Sequence, residues 1–195
     1  MFTTLPPMSH HDLATVERLT SARRSSLLVS RDEPVPGDLV ERLCGLVASA
    51  PNHKRTRPWR LAACTGEGRS TVGELWADAL AAAGGAEGKV AKTRTKYLRT
   101  PVVLVVGCVP DPDEHRHLED RCAVAAGVQN VLLGATAAGL ASFWGSPPVP
   151  VCEPVNAVLG FEAGTTVVAV VYLGWPSAEP PPIERPGVAL AWVGA

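Results

Sequence analysis

The sequence has almost no net charge, no paired cysteines and no long apolar run, and each absence removes a class of function. The 18 basic residues against 19 acidic ones leave a formal charge of −1. That excludes a globally basic nucleic-acid binder while leaving room for a local patch. Lys89, Lys92, Arg94, Lys96 and Arg99 spread around one short helix and read as a solvated face. The five cysteines (Cys44, Cys64, Cys108, Cys122 and Cys152) are odd in number and scattered, with no C-x-x-C pair. A disulfide framework or metal knuckle is therefore not expected. Most sit in apolar runs and read as small buried residues in a reducing compartment. No apolar stretch reaches about 18 residues without a polar break, and no basic segment followed by an apolar one opens the chain. Neither a membrane span nor a signal peptide is expected, and the expected location is the cytoplasm. The glycine-rich segments 66–69 and 84–88 lack the Gly-Lys-Ser/Thr ending of a phosphate loop. Asp111, Asp113, Glu114, His115 and His117 have no partner cluster elsewhere and read as a charged loop, so no metal site is expected. The scarcity of Lys, Phe and Tyr beside many Ala and Arg reflects base composition and not function.

What is present describes a globular protein. Of 195 residues 46% are hydrophobic and 19% charged. A chain of this mass buries about 70% of its surface, enough to fold without staples. The 18 Gly and 18 Pro forecast many turns. Apolar residues recur at helical spacing over 12–22, after a Ser9…Asp12 start resembling a capping box, and over 36–50. Residues 52–58 read as a polar, cationic loop, 59–64 as a strand, 71–83 and 89–99 as helices. Val102 to Val106 form an unbroken β-branched run, as in a strand buried on both faces. Residues 118–139 form a long Ala-rich helix, apolar nearly all round, which should be the central buried helix. A short strand at 142–145, a helix at 150–159 and a strand at 165–173 follow. There is no internal repeat and no linker, so residues 1–195 are expected to form one domain with a disordered-type N-terminus, 1–8. The order of elements gives α+β or a mixed α/β sheet with helices on its faces. An extended Pro-rich arm over 176–195 ends in a short apolar segment, 188–193. That segment either exchanges as a strand with a partner subunit or packs locally.

Three segments could carry chemistry. Arg23-Arg24-Ser25 ends a helix with two guanidinium groups and a hydroxyl, which can hold a phosphate or simply be solvated. The stretch from Ala50-Pro51 through His53, Lys54, Arg55 and Arg57 to Pro58-Trp59-Arg60 concentrates positive charge on a loop. It suits an anionic ligand, or a ring that becomes anionic on reduction, as readily as solvent. Gly139 to Pro147 turns from helix into a strand carrying Trp144, and the Gly145-Ser146 backbone can approach a flat ligand because Gly lacks Cβ. The same residues also fit a helix cap with core aromatics.

Taken in order, these segments and the Tyr172-Leu173-Gly174-Trp175-Pro176 finish resemble the FMN-dependent nitroreductase family over about residues 12–175, in particular its short, minimal branch. The resemblance implies a nitroreductase-like α+β fold, with a mixed, mainly antiparallel sheet flanked by helices. It implies an intertwined homodimer with C-terminal strand exchange and FMN at the interface. By this alignment Arg23, Arg24 and Ser25 bind the phosphate and ribityl end, and His53 comes from the partner subunit. Trp144, Gly145 and Ser146 face the isoalloxazine near N5. Gly134, Ala135, Thr136, Ala137, Ala138 and Gly139 match a nicotinamide-nucleotide segment, although tight helix packing explains them equally well.

The implied activity is NAD(P)H-dependent reduction of nitroaromatics, quinones or similar flat acceptors, by ping-pong hydride transfer through flavin N5 with either NADH or NADPH. No residue needs to be a nucleophile or strong acid, because the flavin carries the chemistry. A non-catalytic FMN-sequestering or regulatory protein of the same fold is the alternative. Some positions depart from the family. Arg55 and Arg57 stand where many members place Asn and Gln. Leu27 and Ser49 stand where close relatives carry Arg, and Ser49 is retained among the binding positions. The C-terminal basic pair is reduced to Arg185. Arg55 or Arg57 is left to make up the missing charge.

Overall fold

The computed structural model describes residues 10–194; the expectation for 1–8 and the Ser9 cap lie outside them. The helices are α1 (His10–Ala22), α2 (Gly37–Gly45), α3 (Gly68–Ala82), α4 (Glu87–Thr95), α5 (Glu114–Ala137) and α6 (Glu153–Leu159). The strands are β1 (Trp59–Cys64), β2 (Val102–Cys108), β3 (Ala141–Gly145) and β4 (Thr166–Gly174), ordered β1-β2-β4-β3. Every strand pair is antiparallel, and an isolated bridge between Ser25 and Ser142 is the parallel element. The architecture is the expected α+β.

The centre of the sheet follows from β-branched residues. All seven residues of β2 are buried, and alternate ones serve opposite faces. Leu104 and Val106 join Leu43, Val47, Val124, Val128, Val131 and Leu173 in a core beneath α2 and α5. Val103 and Val105 join Val72, Trp76, Tyr97, Val155, Val170 and Tyr172 beneath α3 and α6. The register slips between Val106 and Gly107. A Cβ at Gly107 would stand 2.6 Å from Thr165 Cγ2, so the irregularity sits where no side chain fits.

The spine is α5. It buries Asp120, Ala123, Val124, Gly127, Val128, Val131, Leu132 and Ala135, a face at helical spacing. It starts four residues earlier than the apolar pattern implies, because Asp113 caps it by accepting from the Arg116 N–H. The charged stretch at 114–117, read as loop, is therefore its first turn. Its end is a Schellman motif: Gly139 takes φ +78, and the N–H groups of Gly139 and Leu140 donate to the carbonyls of Thr136 and Ala135. The helix expected over 36–50 relaxes into a 3-10 turn at Leu46–Ser49. The helix expected over 89–99 does the same at Lys96–Arg99.

The arm leaves the sheet after Trp175. Pro176 bridges to Val29, and Ser177 N donates to the Leu28 carbonyl. Residues 188–193 find no strand partner among the described residues, and Val188, Leu190, Trp192 and Val193 stay exposed. Three cysteines are buried as expected and Cys44 is half-buried, but Cys122 is exposed on the outer side of α5.

α3 and α4 meet backbone to backbone at Gly73, where a Cβ would collide with the Arg94 carbonyl oxygen. Backbone cannot yield as a side-chain tip can, so Gly73→Ala is expected to lower unfolding free energy by about 1–3 kcal/mol in urea titration. Gly88→Ala, in open space on α4, is expected to be neutral or stabilising.

Candidate functional site

The expected site residues fall into two clusters at opposite ends of α5. At its C-terminal end the segment after α1 runs beside β3. Ser25 bridges Ser142, and Ser26 N donates to the Ser142 carbonyl at 2.9 Å. This fixes Arg23 and Arg24 at the edge of the sheet. Arg23 Nη1 lies 3.5 Å from Ser25 Oγ. Arg24 donates to the carbonyls of Ser21 and Arg23. Arg185, from the arm, donates to the Arg23 carbonyl at 2.7 Å. Three guanidinium groups thus gather here, and among the described ion pairs none has a carboxylate. Ser142 Oγ, 2% exposed as a residue, has no hydrogen-bond partner in the same place. Cations without anions beside an orphaned hydroxyl fit a phosphorylated polyol better than they fit each other.

Thr136 and Gly139 share a cavity of about 170 Å³ with Arg24, Ser26, Pro176 and Ala178. The rest of 134–139 behaves differently. Gly134 faces α2, where a Cβ would meet Leu46 Cδ1 and stand 2.9 Å from Leu43 Cδ2. Ala135 is fully buried, and Thr136 Oγ1 is spent on the Leu132 carbonyl. Ala137 is exposed and Ala138 half-buried. Helix packing accounts for Gly134 and Ala135.

β3 carries Trp144 and Gly145 away from Ser25 to an exposed Ser146. Beyond Ser142 its outer edge has no strand partner among the described residues. Trp144 packs against the α5-side core, and a Cβ on Gly145 would lie 3.3 Å from the Tyr172 ring. The result is an open backbone edge with an aromatic behind it, about 13 Å long from Ser142 to Ser146.

The second cluster surrounds residues 52–57. His53 Nδ1 donates to Glu119 Oε2 at 2.8 Å, and its other ring nitrogen carries no hydrogen bond. His115 reaches the same carboxylate at 3.6 Å. Ser49 is exposed at the end of the 3-10 turn. Lys54, Arg55 and Arg57 have φ of 60, 54 and 52. These left-handed conformations cost non-glycine residues about 1–2 kcal/mol each. They persist because the loop is pinned. Asn52 Oδ1 accepts from Arg57 N at 2.8 Å, and Asn52 Nδ2 donates to Thr56 Oγ1 and to Asp120 Oδ1. Thr56 Oγ1 donates to Asp120 Oδ1 at 2.5 Å. Asp120 is 2% exposed, and the hydrogen bonds it accepts come from these two neutral side chains. The loop and α5 enclose a cleft of about 640 Å³, lined by His53, Glu119, Leu118, Cys122 and neighbours.

From Glu119 to Thr136 helix α5 rises about 25 Å. Within one chain His53 therefore stands about a helix length from Arg23–Ser25. The structure gathers Arg23, Arg24, Ser25, Thr136 and Gly139, extends to Trp144, Gly145 and Ser146 along β3, and leaves Ser49 and His53 apart. Asn52, Thr56, Glu119 and Asp120 escaped the sequence reading. A single carboxylate in phase with the buried face of an apolar helix was the available signal for Asp120.

A family model for the nitroreductase family matches residues 21–175. The chain belongs to the nitroreductase family. It is 24% identical over 173 residues to YfhC of Bacillus subtilis (strain 168), a protein named as a candidate NAD(P)H nitroreductase, covering 87% of this chain and 89% of that one. The crystal structure of a nitroreductase-like family protein from Bacillus cereus superposes with a TM-score of 0.75 at 26% identity, over 96% of this chain and 95% of that one. A nitroreductase with bound FMN from Bacteroides fragilis gives 0.70 at 20% identity, over 89% and 94%. This nitroreductase-family chain carries no helix among its described residues that is long and apolar enough to cross a membrane.

Two predictions follow from the pinned loop. Asp120→Ala leaves the Asn52 amide and Thr56 hydroxyl without their acceptor. It is expected to cost about 2 kcal/mol in urea unfolding and to speed amide exchange over 53–57. The hydrogen bond from His53 holds the Glu119 carboxyl below its ordinary value of 4.5. A lowered carboxylate contributes stability above its unfolded value and loses it as pH falls through the folded one. Glu119→Gln is therefore expected to be less stable than the native protein above about pH 4.5. The gap should close as pH drops further, as read by urea melts across pH.

Proposed function

We propose that the protein is an FMN-dependent NAD(P)H oxidoreductase that reduces flat acceptors such as nitroaromatics or quinones, acting as a homodimer with flavin at the subunit interface. One observation carries the reading: Arg23, Arg24 and Arg185 converge without a carboxylate at the head of an open strand edge, in a chain of this family. Two similar solved proteins add support, one with bound FMN and one described as FMN- and NADPH-dependent, the latter with TM-score 0.69 at 21% identity.

In this reading the three guanidinium groups and Ser25 hold the phosphate. The exposed edge near Ser146 offers backbone N–H groups where negative charge gathers on reduction. Tyr172 stands behind Gly145. FMN supplies the two-electron chemistry, accepting hydride from a nicotinamide donor and passing electrons to the acceptor. No side chain of the first cluster is a nucleophile. His53 belongs to the opposite subunit's site, since its own chain holds it a helix length from the arginines. The apolar residues at 188–193, exposed in one chain, are the surface the partner covers.

The first measurement is the visible spectrum of the purified protein, followed by NADH or NADPH without oxygen. Flavin bands that bleach are expected; a colourless protein that takes up no added FMN refutes the reading. Arg24→Ala is expected to weaken FMN binding by roughly tenfold to a hundredfold in fluorescence titration. Arg24→Ala and His53→Ala each damage both sites of a homodimer. Mixed subunits of the two variants should regain one intact site. Mixtures that recover nothing beyond the separate variants refute the shared site.

A further inference from the structure

The exposed arginines of the cationic loop border a groove. Arg55 and Arg57, with Ala48, Ala50, Asn52 and Trp59, line a groove of about 590 Å³ that adjoins the His53 cleft through their shared Asn52. Three features of the groove bear on a ligand. Its cations are unpaired: Arg60, Arg94 and Arg116 each have a carboxylate, whereas Lys54, Arg55 and Arg57 have none among the described residues. The nearest buried carboxylate, Asp120, is occupied by Asn52 and Thr56 and neutralises no cation. The groove is also flat on one side. Trp59 packs on the α5-side core and still lines the opening, and the two alanines leave room beside it. Finally, long side chains are kept where they are expensive. Glycine would adopt φ near +54 at Arg55 and +52 at Arg57 without strain. The chain instead places guanidinium groups at both positions, on a loop pinned by a buried carboxylate. A solvated loop has no use for that arrangement.

We infer that this groove binds the acid group of a planar aromatic carboxylate, so that the protein selects anionic over neutral aromatic acceptors. A guanidinium grips a carboxylate through paired N–H donors, and an aromatic ring lies against the indole. Neither contact is available to a neutral, non-aromatic compound. The inference rests on the proposed reduction of flat acceptors and names their chemical class.

The test measures equilibrium binding to the full-length protein as purified, by titration calorimetry, with 4-nitrobenzoate and its neutral near-isostere 4-nitrobenzamide. The carboxylate is expected to bind at least tenfold more tightly, about 1.4 kcal/mol. Added salt should narrow the ratio. Arg55→Gln and Arg57→Gln should each cut the ratio severalfold, and the double variant should bring it to one. Arg55→Gly separates this role from folding, because it relieves strain. It should keep or raise the melting temperature while cutting the ratio severalfold. Equal affinity for the two probes in the native protein overturns the inference, as does a ratio that survives the double variant or that Arg55→Gly leaves unchanged. Loss of bound flavin in the glutamine variants with the ratio intact also overturns it, by assigning the arginines to the cofactor. Absorbance of the same samples reports flavin separately, so a colourless protein refutes the redox reading while the ratio still tests the groove.

Discussion

The closeness of α5 to the segment 43–47 governs the rest of the molecule. Gly127 and Gly134 both face that segment, and a Cβ at Gly127 would stand 2.8 Å from Val47 Cγ1. Two missing side chains, two turns apart, let a 24-residue helix lie against α2 and the 3-10 turn that follows it, and reach the sheet through Val124, Val128 and Val131. Seated there, α5 is straight and long. It sets the Asp120 end and the Thr136 end of the fold about 25 Å apart. The separation of the two clusters is thus a packing consequence, fixed before any ligand enters. A site that needs both clusters needs two chains.

Stability and function pull against each other at the loop 52–57. Three left-handed non-glycine residues in four positions oppose folding. What opposes them is a buried carboxylate with neutral donors, a pairing that holds shape without cancelling the charge on the arginines. A salt bridge from Asp120 to Arg55 or Arg57 would have pinned the loop equally well and removed its positive field. Placing Asn52 and Thr56 between the acid and the cations leaves the cations free to act outward. The Arg23 cluster follows the same logic, since its guanidinium groups donate to carbonyls and a hydroxyl and keep their charge.

The sequence carried most of the fold, because its strongest signals are local. Val102–Val106 could only be a buried strand, and Gly139 after an Ala-rich run could only be a helix end. It carried less where one residue decides an element. The start of α5 was hidden because Glu114–His117 is polar on every face, and only the cap from Asp113 makes it helical. The Asp120 network was hidden because its partners lie 64 and 68 residues away, and no periodicity links them. Arg23, Arg24 and Arg185 were legible as candidates, but their meeting at one carbonyl depends on the path of the arm, which no local pattern encodes.

That path leaves apolar residues uncovered in a single chain. The arm stays with its own sheet only as far as Pro176 and Ser177, which pair with Val29 and Leu28. Pro180, Pro181 and Pro182 then pass Arg24. Proline has no N–H to donate, so this stretch cannot lengthen the ladder it has just left. Arg185 fastens the arm to Arg23, beyond the sheet's edge, and only after that does the apolar segment begin. The chain has thus left these hydrophobic residues outside its own core, and the β3 edge has no strand partner beyond Ser142 among the described residues. Open edges and exposed apolar ends are liabilities in a protein that works alone. In the proposed homodimer they are the surfaces that a second copy covers.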